Sequence, residues 1–137
     1  MIKLIIGKKG SGKTKKLIDL VNEAARSTNG NVVCVEQNDG LRYSIPTSVR
    51  LINTDNYGIS GYDEYYAMLC GMAASNHDVT DIFGDATKRI GGGLDGIEKF
   101  LSRVSALAED SNIRFIFTVS CEKADLPEEV FEVAEEV

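Results

Sequence analysis

The sequence predicts an α/β protein, a three-layer αβα sandwich on a mainly parallel five-stranded sheet, forming one domain over residues 1–137. Three observations lead to that fold class. Short apolar runs alternate with segments whose apolar residues recur at helical spacing, which implies right-handed crossovers and a sheet covered on both faces. The run Val32-Val33-Cys34-Val35 is continuously apolar, as suits a strand buried on both sides. With 137 residues, 43% of them hydrophobic and 26% charged, the chain is of a size and composition that support one compact core.

In chain order, Ile2 to Ile6 reads as the first strand, followed by a glycine-rich turn. A helix then begins near Lys13, carries Leu17, Leu20, Val21 and Ala24 on one face, and stops at Asn29-Gly30. Asn31 to Gln37 is the second strand, and Asn38-Asp39-Gly40 turns the chain. Leu41 to Ser48, with Pro46, reads as a surface loop, and Val49 to Ile52 as a strand leaving through Asn53-Thr54-Asp55. Ser60 and Asp63 form a capping-box signature ahead of a helix with Tyr62, Tyr65, Tyr66, Leu69, Met72 and Ala73 at helical spacing. These tyrosines are expected to pack in the core with their hydroxyls at its rim; the other reading is that Tyr57 or Tyr62 stacks on a base. Val79 to Asp85 is the next strand and Lys88 to Gly93 a loop. Asp95 with Glu98 is expected to cap a helix whose Ile97, Phe100, Leu101, Val104, Leu107 and Ala108 form an apolar stripe. Ile113 to Val119 follows as a strand, and Pro127 opens a terminal helix carrying Val130, Phe131, Ala134 and Val137.

The glycine-rich turn is Gly7-Lys8-Lys9-Gly10-Ser11-Gly12-Lys13-Thr14, which fits G-x-x-x-x-G-K-[ST] at every fixed position between a strand and a helix. Glycine opens backbone conformations closed to residues with a Cβ, so successive N–H groups can turn inward on a polyphosphate. The first turn of the following helix adds free amides and the positive end of its dipole. Lys13 would reach the β- and γ-phosphates, and the Thr14 hydroxyl would coordinate Mg²⁺.

On these residues the chain resembles the P-loop NTPase superfamily, with Gly7 to Thr14 as its Walker A loop. The resemblance implies a P-loop NTPase fold and a Mg²⁺-nucleoside triphosphate, ATP or GTP, as ligand. Such folds bind at the carboxyl ends of their strands. Asp85, closing the fourth strand, resembles the Walker B aspartate that fixes the metal. Asp81 is the rival, but it stands only two residues into its strand, toward the far end. Many members place a glutamate directly after the Walker B acid, whereas Ala86 stands there here. In RecA-like, additional-strand members that glutamate ends a neighbouring strand, and Glu36 resembles it, which would make Lys13 and Glu36 the catalytic pair. Ser120, or Thr118, resembles the polar sensor residue on the strand between the Walker A and Walker B strands.

Other readings stay open. Asp81-Ile82-Phe83-Gly84 fits the GTPase pattern D-x-x-G, and Glu122-Lys123-Ala124-Asp125 approaches N-K-x-D, although Glu122 cannot donate the hydrogen bond of an Asn amide. Gly91 to Gly96 matches G-x-G-x-x-G, but several residues past the strand it should follow. A small-molecule kinase would use the same loop with Arg89 and the Gly91 to Gly93 segment as its lid, and a non-hydrolysing switch would use nucleotide occupancy to change a partner interface.

A net charge of −6 argues against wrapping a nucleic-acid backbone. The Lys8, Lys9, Lys13, Lys15, Lys16 cluster is the exception, and a nucleotide accounts for much of it. Cys34, Cys70 and Cys121 show neither disulfide nor zinc spacing, which points to a cytoplasmic location. His77 reads as a helix-end or surface residue. No long apolar segment suggests a membrane span, and a protein partner or self-assembly is expected to complement so short a chain.

Overall fold

A computed structural model describes residues 1–137. The chain is an α/β sandwich with six strands in one sheet, every neighbouring pair parallel. The strands are β1 (Ile2–Gly7), β2 (Asn31–Glu36), β3 (Arg50–Asn53), β4 (Val79–Gly84), β5 (Arg114–Ser120) and β6 (Ala134–Glu136), in the spatial order β3-β2-β4-β5-β1-β6. The helices are α1 (Lys13–Ser27), α2 (Tyr62–Ser75), α3 (Thr87–Gly91) and α4 (Ile97–Ser111). No helix is long and apolar enough to cross a membrane.

Period-two alternation divides the core into two halves. Leu4, Val33, Val35, Ile82, Phe115 and Phe117 face the layer of α2, α3 and α4. Ile5, Val32, Cys34, Phe83 and Ile116 face α1, which contributes Leu17, Val21 and Ala24. Gly84 is a point of close packing in the first half: a Cβ there would lie 2.4 Å from the Tyr65 hydroxyl and 2.6 Å from the Phe117 ring.

Four sequence expectations are corrected. Val130 to Val137 is not a helix: a 3-10 turn over Glu128–Glu132 leads into β6, which pairs with β1 from Ile2 opposite Ala134 to Leu4 opposite Glu136. So short a helix pays its full nucleation penalty, and an open edge of β1 offers backbone partners instead. Residues 41–48 are not wholly a surface loop, because Leu41 and Ile45 are buried beside α1. The segment after Asp85 holds one helical turn, α3. Neither expected capping box forms: Gly61 and Gly96 occupy the N-cap positions, Glu64 accepts the Ser60 N–H at 2.8 Å, and Asp63 turns to Arg103 at 3.2 Å.

Asp81 is buried near the start of β4, where it accepts from the Arg114 Nε at 2.7 Å and the Thr80 hydroxyl at 2.7 Å. Arg114→Ala is therefore expected to cost about 1–3 kcal/mol in urea unfolding, because a buried carboxylate loses its counter-charge.

Candidate functional site

Because all strands point one way, their carboxyl ends form a single edge, on which Gly7, Glu36 and Ser120 are strand-terminal residues. Strand parity places Glu36 and Thr118 on the α1 side of the sheet, in step with Cys34 and Ile116. Asp85 follows β4 directly. The chemistry-bearing groups thus share one edge and one face, beside the loop that joins β1 to α1.

That loop is open. Gly10 and Gly12 have φ of 83° and 89°, values that residues with a Cβ rarely adopt. Within it the Ser11 N–H donates to the Lys8 carbonyl at 3.1 Å and the Lys16 N–H to the Gly12 carbonyl at 3.1 Å. The amides of Lys9, Gly10, Gly12, Lys13, Thr14 and Lys15 have no acceptor in the chain. Gly7 is packed against this turn, since a Cβ on it would lie 2.4 Å from Ser11 Oγ. The Lys13 ammonium folds back on the Lys8 carbonyl at 2.9 Å, which holds its charge over the loop mouth. Lys8 forms an ion pair with Glu122 at 2.9 Å.

Asp85 meets α1 across the edge. Its amide donates to the Val35 carbonyl at 2.8 Å, and its carboxylate accepts from Thr118 Oγ1 at 2.6 Å. Thr14 Oγ1 lies 3.4 and 3.3 Å from the two carboxylate oxygens. Asp85 pairs with neither Lys88 nor Arg89; Lys88 donates instead to the Ser120 carbonyl at 3.2 Å. No cluster of three acidic, histidine or cysteine ligands forms anywhere. Thr14 and Asp85 are the kind of sparse protein donor set that suits Mg²⁺, which keeps several waters and takes phosphate oxygens as ligands.

Of the two polar residues on β5, Thr118 touches the carboxylate, whereas Ser120 contributes its backbone carbonyl to Lys88. Glu36 is 3% exposed; Oε1 accepts the Leu41 N–H at 3.1 Å, and Oε2 has no partner. Desolvation pushes its carboxyl above the ordinary range, with further upward pressure from Asp39 and Asp85. Tyr62 is a packing residue: its ring lies on Phe100, and its hydroxyl donates to the Gly93 carbonyl at 2.5 Å. Burial pushes that hydroxyl up to about 12. Tyr57 is exposed at the far side of β3, and His77 is exposed beyond α2.

The residue with no forewarning in the sequence is Ala86, which takes a left-handed φ of 57° and opens α3. Its N–H donates to Thr118 Oγ1 at 3.2 Å, so the same hydroxyl fixes both the carboxylate and the bend behind it. No family model matches the chain, and no curated protein matches it.

A left-handed alanine costs roughly 1–2 kcal/mol relative to its preferred conformations, a strain that glycine does not carry. Ala86→Gly should raise stability by up to about 1 kcal/mol, after the entropy glycine adds to the unfolded chain, as read by chemical denaturation.

Proposed function

We propose that this chain binds a Mg²⁺-nucleoside triphosphate, ATP in preference to GTP, at Gly7 to Thr14, and transfers its terminal phosphoryl group to water slowly or with a partner's help. The observation that carries the reading is the set of unpartnered loop amides around Lys13, opposite the Thr14 and Asp85 oxygens. An anion accepting from those amides would satisfy donors that nothing in the chain satisfies.

The loop amides and the Lys13 ammonium would stabilise negative charge on the phosphates as it shifts toward the leaving oxygen. Thr14 and Asp85 would hold Mg²⁺, whose role in such sites is to neutralise phosphate charge. Thr118 keeps the Asp85 carboxylate oriented through its 2.6 Å hydrogen bond. Glu36 would orient the attacking water, and its raised pKa brings the carboxyl closer to the range useful for a general base.

Two features disfavour a GTPase. Asp81 of the D-x-x-G match is committed to Arg114 near the strand's start. Glu122 and Asp125 cap their own turn, the Glu122 N–H donating to Asp125 at 2.9 Å, which leaves the Asp125 carboxylate occupied. Because Glu36 already accepts the Leu41 N–H, a binding-only switch is the second reading.

Lys13→Ala should abolish detectable ATP binding in calorimetry; undiminished binding removes the proposal. Glu36→Gln should lower turnover by about 10²- to 10⁴-fold with binding retained. The same variant tests linkage. A carboxyl whose folded pKa exceeds its unfolded one contributes most below the unfolded value and loses that contribution as pH rises through the folded one. The stability of Glu36→Gln relative to wild type should therefore increase as pH rises through that interval.

A further inference from the structure

Beside the loop, and lined by none of Gly10 to Thr14, lies a cavity of about 940 Å³. Its walls carry Lys8 and Lys9 from the loop, Lys88 and Arg89 from α3, and Glu122 and Asp125 from the turn after β5. In a chain of net charge −6 this concentration of cations is unusual. Their partners separate them. Lys8 is neutralised by Glu122 at 2.9 Å, and Lys88 is engaged with the Ser120 carbonyl at 3.2 Å. Asp125 is occupied by the Glu122 amide at 2.9 Å. Lys9 and Arg89 form no ion pair and donate no hydrogen bond, so the cavity keeps two free cations.

The cavity shares Lys8 and Lys9 with the cradle and is lined by none of Gly10 to Thr14. Lys8, whose carbonyl receives the Lys13 ammonium, belongs to its wall. So does Cys121, whose thiol burial and Asp125 push up while Lys88 and Lys13 pull it down. The far wall is fixed by Tyr62, whose hydroxyl holds the Gly93 carbonyl and whose ring leaves no room for a Cβ on Gly91. A volume of this order suits a small molecule better than a single ion.

We propose that this cavity is a second binding site, for a small molecule bearing a phosphate or carboxylate group, held by Lys9 and Arg89 next to the γ-phosphate end of the nucleotide. The placement next to the nucleotide rests on the proposed function above; the anion site itself does not.

Calorimetric titration of the whole protein with glycerol 3-phosphate and with citrate, and with glycerol as the uncharged control, tests it. At least one anion should bind saturably, glycerol should not, and which anion binds identifies the charged group. Binding should survive Lys13→Ala and weaken roughly tenfold in each of Lys9→Ala and Arg89→Ala, as expected for loss of one charge-assisted contact. Both replaced side chains are exposed, and amide spectra of the wild type give an independent reading, with shifts expected at Gly93 and Cys121. Absence of saturable binding by both anions overturns the proposal. Loss of binding in Lys13→Ala, with shifts confined to Gly10 to Thr14, also overturns it, because the anions would then be entering the cradle. With Mg²⁺-ADP bound, the anion should still bind; mutual exclusion refutes the adjacent placement. A failure of the nucleotide reading appears separately, as absence of ADP binding while the anion titration still saturates.

Discussion

Parallel pairing of β4, β5 and β1 is the constraint on which everything at the site depends. A carboxylate, a hydroxyl and a glycine-rich loop, far apart in sequence, meet because these strands end together on one edge. The registers tie Gly7 to Ser120 and Gly84 to Phe117, so a slip of one residue would turn Thr118 to the opposite face of the sheet. The hydrogen bond from Thr118 to Asp85 exists only in that register.

The two aspartates near the ends of β4 show how position decides the role of identical chemistry. Asp81 lies where β4 and β5 begin and is 2% exposed, matched to Arg114 directly across the pair. Asp85 lies past the last residue of β4, half-buried, with a threonine on either side and no cation bonded to it. The first is fully committed inside the fold. The second retains carboxylate oxygens that face the open loop.

The strands, the helix after the loop and the strand-end acids were legible in the sequence, because apolar periodicity and strand polarity report on burial and direction. What escaped was set by tertiary partners. Ala134 to Glu136 is weak as a strand by composition and becomes one only because β1 has an open edge. Leu41, Ile45 and Val49 recur four residues apart, but Pro46 interrupts the segment, and they fill space beside α1 from turns rather than from a helix. Thr118 and Ser120 looked equivalent, and only the position of the Asp85 carboxylate separates them. Ala86 gave no signal, since alanine is not a residue expected at positive φ.

Both neighbours of β1, namely β5 and β6, lie far downstream of it in the chain. During synthesis on the ribosome, β1 must wait unpaired until the segment holding β5, Arg114–Ser120, has been made. Helix α1 can form early, but the sheet edge that orients it cannot. Such long-range closure predicts slow maturation of the loop and a nascent chain whose β1 is vulnerable to mispairing until β5 has emerged.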